Sequence, residues 1–197
     1  IVANAAKKYA ISGLEFLHCI PGTIGGGTVG NAGCYGRDYS DILVSIRTIN
    51  RQGNVKIYSK DDCKLSYRNS EIPNDEIIVS ITLQGTICAE ITSEKIEKIM
   101  NEMMNKKSSS QPIWERCAGS TFKNPDTKFA WQLISESGAD KLTKGDAKTS
   151  SKHANFLINS GSASSSDIED LGEEIRRIVY EKTGTMLHWE IKILGDR

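Results

Sequence analysis

This 197-residue chain is sparing with proline, which it uses four times, and with histidine, which it uses three times. It has no surplus of either charge, because 25 basic side chains balance 25 acidic ones. A protein that grips nucleic acid by electrostatics shows a basic excess or stripe, so no nucleic-acid partner is expected, although a local anion pocket is compatible with neutrality. No apolar run approaches the roughly 20 residues that span a bilayer, so no membrane partner is expected either. The five cysteines (Cys19, Cys34, Cys63, Cys88 and Cys117) include no CxxC and no Cys/His ligand spacing. That excludes a zinc finger and argues against a disulfide scaffold; scattered reduced thiols fit a cytoplasmic protein, and no metal is expected. A Walker loop is missing too, since no Gly-Lys-Ser/Thr follows the glycines.

Glycine is concentrated in one place. The stretch "IPGTIGGGTVGNAGCYG", Ile20 to Gly36, holds seven of the chain's 17 glycines. Gly25, Gly27 and Gly30 formally match GxGxxG, but a dinucleotide fingerprint needs an apolar strand before it and an acidic residue about 20 positions on. Here Pro21 precedes the first turn and residue 50 is Asn. Two readings stay open on residue types alone: tight turns with positive φ, or main chain that passes close to a flat or phosphorylated ligand.

Around that stretch the pattern predicts a mixed chain. Residues 42–49 and 54–58 alternate as a hairpin around an Asn50–Gly53 turn, and "EIIVSITLQ", 76–84, reads as a central strand. From Ser93 to Lys107, Ile96, Ile99, Met100, Met103 and Met104 recur at helical spacing, and "SSSQP", 108–112, ends that helix and offers a domain boundary. A helix at 128–137 and a strand at 155–159 follow. A second helix is expected behind a Ser166/Glu169 capping box, with Gly184 as its stop, and a last strand at 188–194. The class expected is α+β in two parts. The opening residues "IVANAAKKYAISG" read as the middle of a helix, so an amino-terminal part is expected to precede them.

Four segments, "SGLEFLHCIPGTIGGGTVGNAGCYG" (12–36), "SYRNS" (66–70), "GSTFKNP" (119–125) and "HANFLIN" through "HWEIKILG" (153–195), taken in order, resemble the UDP-N-acetylenolpyruvoylglucosamine reductases, the MurB family of bacterial cell-wall enzymes. The resemblance implies part of a two-lobed FAD-binding domain (second lobe, residues 1–110). It further implies a small α/β substrate-binding domain (111–186) and a carboxy-terminal strand (187–197) returning to the active site. It implies FAD as cofactor, NADPH as hydride-donating co-substrate, a nucleotide-sugar substrate and a bacterial cytoplasmic location. A further glycine-rich loop on the family's amino-terminal flavin lobe finds no match in this sequence.

On the same resemblance, Arg68 would stabilise the enolate formed when an enolpyruvyl ether is reduced, Ser120 would donate the proton to carbon, and Glu190 would work with Arg68. Those residue types suit the chemistry: a guanidinium stays charged and can take a carboxylate with two bonds, and a serine hydroxyl can protonate a basic carbanion if held in line. The flavin would lie against Ile20, Pro21, Gly22, Thr23, Gly25, Gly26, Gly27, Asn31, Gly33 and Tyr35. Asn124, Lys106, Lys107, Lys192 and Tyr35 would serve the substrate, with Lys123 a further candidate, and His153 and Asn155 would have hydrogen-bonding roles. Cys19, Gly30 and Asp146 depart from the family's usual Gly, Met and Gly. The span between Ser70 and Ser120 is too short for the tyrosine-bearing loop of some members. The alternatives are another FAD-linked oxidoreductase and a non-catalytic nucleotide-sugar-binding module.

Overall fold

The computed structural model describes residues 1–195. They form two compact units, residues 1–107 and residues from 108 onward. The class is α+β, as expected, with antiparallel pairing in every sheet.

In the first unit, α1 (Val2–Lys8) leads through a 3-10 turn at Glu15–Cys19 to α2 (Ile24–Val29). A two-residue ladder follows, β1 (Gly33–Cys34) against β2 (Arg37–Asp38). The hairpin expected at 42–58 is present as β3 (Leu43–Ile49) and β4 (Val55–Ser59), followed by the single turn α3 (Lys60–Cys63) and β5 (Ile77–Leu83). The run at 76–84 is not the central strand. The order is β4-β3-β5, and β3 takes the middle. The successive apolar residues Ile77, Ile78 and Val79 read as buried on both faces, but this sheet leaves one face open, and Ile57 and Ile77 are 73% and 68% exposed. On the covered face Ile46 packs with Leu43, Cys63 and Ile72. The side chain of Glu76, only 4% exposed, accepts from Thr48 of β3 and from Lys56 and Tyr58 of β4, so one carboxylate ties the strands together. Helix α4 (Ser93–Ser110) buries Ile96 and Met100 against Ala3, Phe16 and Tyr39. It runs through all three serines instead of ending at the first, and stops before Pro112, whose ring restricts the residue ahead of it.

The second unit packs α5 (Ala130–Glu136) and α6 (Ser165–Thr183) on a small sheet of β6 (Thr143–Lys144), β7 (Ala147–Thr149) and β8 (Leu157–Asn159), in the order β6-β7-β8. On α6, Leu171, Ile175 and Val179 recur at helical spacing and line the core, and Gly184 ends the helix at φ 70° as expected. The capping box sits two residues earlier than the sequence suggests. Ser164 and Asp167 exchange the bonds, because the Asn159 side chain already fixes the turn at Ala163. The strand expected at 188–194 is also absent from the described residues; a single bridge joins Trp189 to Phe122. Its partner segment is too short for a ladder, lying between Gly119 and Pro125, which has no N–H to give. The last two residues of the 187–197 strand lie outside the described residues. Among the described residues no helix is long and apolar enough to cross a membrane.

Candidate functional site

The glycine-rich stretch of the first unit folds as a turn followed by a short helix, rather than as turns throughout. Thr23 caps α2 by accepting from Gly26 N at 3.1 Å. Its glycines serve two different ends. Gly27 and Gly33 let main chain pack on protein: a Cβ would lie 2.7 Å from the Tyr39 ring at Gly27 and 2.3 Å from Arg37 O at Gly33. Gly22 faces open space, with φ 103° and no atom within 4 Å of an added Cβ. Pro21, Gly22, Thr23 and Gly26 are exposed, with Ile20 and Gly25 half-buried beside them. A flat ring could approach that bare main chain, so the 20–26 segment fits a flavin edge, whereas Gly27 and Gly33 support it from behind.

Asn31 is buried, with φ 40°, and its side chain is bonded to protein through both its amide and its oxygen. The amide donates to Asp38 Oδ2 at 3.2 Å and to Ser66 O at 2.9 Å, and the oxygen accepts from Ser40 N at 3.0 Å. That clamp brings the loop 66–70 onto the glycine stretch. Arg68 then donates to Gly33 O at 2.9 Å and Asn31 O at 3.4 Å. Asn31, Gly33 and Arg68, far apart in sequence, thus share one neighbourhood. Asn31, Tyr35 (φ 55°) and Arg68 (φ 52°) are three of the five non-glycine residues with positive φ among the described residues. Backbone held in this region costs about 1–3 kcal/mol per residue and gathers at functional sites.

Tyr35 donates its hydroxyl to Met103 O at 2.9 Å, and Lys106 Nζ sits 5.5 Å from the centre of its ring. Lys107 donates to Cys19 O. The departure at Cys19 therefore places a buried thiol beside the start of the stretch. Burial pushes the Cys34 thiol up to about 11, with neighbouring Cys19 adding to the effect, and Cys19 is raised by burial as well. Both are protonated at neutral pH and are poor nucleophiles.

In the second unit, Gly119 (φ 93°) turns the chain into the half-buried Ser120. The next residues are held from both sides. Thr121 N donates to Asn155 O at 2.8 Å, while the Asn155 side chain accepts from Phe122 N at 2.9 Å and donates to Phe122 O at 2.8 Å. On the other edge, Glu190 N donates to Thr121 O and Lys123 N to His188 O, both at 2.8 Å. Ser120 and Glu190 consequently stand on two directly bonded segments. Trp189 fixes the second of these: it stacks on Phe122 with ring centres 4.9 Å apart, donates to Glu173 at 2.9 Å, and lies over Gly172 of α6.

Asn124, expected to meet a diphosphate, accepts from Ala130 N at 3.0 Å and so helps start α5. Lys192 is exposed and Lys123 half-buried. His153 is held neutral by burial, which lowers it below the usual imidazole range; its Nδ1 accepts from Asn155 N and its ring meets Phe156 edge-on. Asp146 has a clear role despite its departure from the family pattern. Its carboxylate accepts from Ser162 N at 2.7 Å and its carbonyl from Ser160, pinning the serine-rich loop. A cavity of about 260 Å³ beside Thr121 is lined by Arg116, Cys117, Leu157 and Ile191. A larger one of about 520 Å³, at Lys144, Asp170 and Arg177, touches none of the expected residues. The sequence reading missed the Trp189–Gly172 packing. A glycine inside an amphipathic helix was the available signal, since it costs about 1 kcal/mol against Ala unless something must come close.

Known proteins are similar to this chain in sequence and fold. Residues 111–194 match the family model for the C-terminal domain of UDP-N-acetylenolpyruvoylglucosamine reductase. The protein of that name from Parvibaculum lavamentivorans is 44% identical over 196 residues, which are 100% of this chain and 62% of the relative. The Paramagnetospirillum magneticum protein of the same name is 43% identical, over 100% of this chain and 63% of the relative. The crystal structure of UDP-N-acetylenolpyruvylglucosamine reductase from Thermus caldophilus is similar with a TM-score of 0.85 and 28% identity, covering 98% of this chain and 68% of that one. The chain thus spans a little over three-fifths of the length of the curated relatives it matches. Over essentially its whole length it is similar to the UDP-N-acetylenolpyruvoylglucosamine reductase (MurB) family, and residues 111–194 match that family's C-terminal domain.

Proposed function

We propose that this chain carries the substrate-reducing residues of an FAD-dependent, NADPH-using reductase that converts UDP-N-acetylglucosamine enolpyruvate to UDP-N-acetylmuramate. That step belongs to peptidoglycan precursor synthesis in the bacterial cytoplasm. The observation that carries the reading is the Thr121–Glu190 bond, which puts a hydroxyl and a carboxylate of family-matched position on adjoining segments.

FAD, when bound, supplies the hydride, which originates in NADPH, to the terminal alkene carbon of the substrate. The exposed main chain of Ile20–Gly26 would hold it, with Gly27, Asn31, Gly33 and Tyr35 shaping the wall behind. Negative charge then grows on the adjacent carbon and spreads into the carboxylate. Arg68 stabilises that charge with a guanidinium that no working pH neutralises. Ser120 gives its proton to the carbon, and Glu190 works with Arg68 in polarising the intermediate. Asn124, Lys106, Lys107, Lys192 and Tyr35 serve the nucleotide sugar, the lysines offsetting the diphosphate charge.

The test is the visible spectrum of the purified protein. A yellow protein bleached by NADPH and recoloured by the enolpyruvyl nucleotide sugar supports the proposal. A flavin-free protein that still binds the nucleotide sugar overturns it in favour of a binding module, and recolouring by a different electron acceptor alone points to another flavin oxidoreductase.

A further inference from the structure

The Ser120 loop raises a question that its own residues do not answer. A serine hydroxyl is a weak acid, and it protonates carbon usefully only if it is held within a narrow range of positions and angles. Gly119, at φ 93°, gives no such restraint from the amino-terminal side, because glycine can turn freely there. Upstream of Gly119 the chain is tied at Cys117 to Ile158, and the ties nearest Ser120 on the other side run through Thr121 and Phe122.

One residue supplies three of these bonds. Asn155 is 3% exposed and its planar amide pairs with both polar groups of the Phe122 main chain, accepting from N and donating to O, as a neighbouring strand would. Its own carbonyl takes the Thr121 N–H, one peptide away from Ser120. The Asn155 N–H in turn donates to His153 Nδ1 at 3.3 Å, which fixes the backbone from which the amide projects. On the opposite edge the segment is bonded through main chain, at Glu190 and His188, and Trp189 stacks on Phe122. Asn155 thus ties both Thr121 and Phe122, and through them bears on where the Ser120 peptide plane lies. Aspartate at this position keeps the shape but, when ionised, cannot donate to Phe122 O, so the fork needs an amide.

We infer that Asn155 is a positioning residue for proton delivery by Ser120, an inference that rests on the reductase reading above. Asn155 acts through the Ser120 loop. A side chain that merely stabilises the fold would lower stability and slow every step alike. A positioning residue slows the one step that Ser120 serves, and its effect disappears when Ser120 has no hydroxyl to position.

The experiment is a double-mutant cycle in the flavin-loaded protein with Asn155→Ala and Ser120→Ala, and with Asn155→Asp as the isosteric second variant. Three quantities are read for each variant: flavin reduction by NADPH, reoxidation by the enolpyruvyl nucleotide sugar, and the Kd of that nucleotide sugar, with thermal melting as the check of fold. The expected result is a reoxidation rate lowered about 100-fold by Asn155→Ala or Asn155→Asp, the scale of a misplaced catalytic group. Flavin reduction and Kd should stay unchanged, and the Ser120→Ala background should show no further loss. Equal losses in both backgrounds, losses in both half-reactions, or failure of both Asn155 variants to fold overturn the inference. A Ser120→Ala protein that reoxidises at the normal rate instead overturns the reductase assignment of Ser120 itself.

Discussion

The glycine-rich stretch of the first unit and the Ser120 loop of the second reach their shapes by opposite routes. In the first, backbone does the work: glycines allow approaches of 2.3–2.7 Å by an imagined Cβ, and Asn31, Tyr35 and Arg68 accept positive φ. In the second, one buried amide and one antiparallel bridge hold an otherwise ordinary segment. The first kind of loop advertises itself in composition, because only glycine fits. The second leaves almost no local trace, since its restraints come from residues more than 30 positions away.

The comparison can be broken most severely at Gly33. Gly33→Ala drives a Cβ into Arg37 O and Asp38 and should cost about 3 kcal/mol, read as a lower urea midpoint with unchanged slope. Gly172→Ala asks the same of the second unit, where the obstacle is the Trp189 ring at 2.0 Å. The ring can shift and alanine favours helix, so the net loss should be about 2 kcal/mol, with Trp189 fluorescence changed. Ser164→Ala removes only a cap and should cost about 1 kcal/mol of α6 stability, which hydrogen exchange in its first turn would register.

The smallest effect concerns acid. The Thr48 hydroxyl foremost, with Tyr58 and Lys56, holds Glu76 below the usual carboxylate range. A carboxylate depressed in the folded state contributes stability that is present above its unfolded pKa, about 4.3, and lost as pH falls through the folded value. Melting of the wild-type first unit should therefore fall on acidification through that window, and Glu76→Gln should flatten the dependence. A steeper fall in the variant would refute the assignment of Glu76.

Much of this fold was legible. The 42–58 hairpin, the α4 and α6 helices and the Gly184 stop follow from periodicity and cap chemistry, although Ile99, counted in the α4 stripe, is exposed. Other features were not, for physical reasons. The 77–83 strand opens with three apolar residues in a row, Ile77, Ile78 and Val79, so its pattern cannot say that one face stays open. The serine run offers two capping boxes, and the choice between them is made by Asn159, outside the helix. The carboxy-terminal alternation suits a strand, but Pro125 leaves it too little partner. At the candidate site, the Arg68 and Ser120 motifs were visible through resemblance. Positive φ at Tyr35 and Arg68 has no signal in residue type, and neither does the Asn155 fork.

The central claim is that Ser120 protonates carbon in an enolpyruvyl reduction, and the half-reactions of Ser120→Ala test it most directly. The account predicts flavin reduction by NADPH at the wild-type rate, with reoxidation by the nucleotide sugar slowed at least about 100-fold, the lower range for loss of a positioned acid. Reoxidation at the wild-type rate would contradict it.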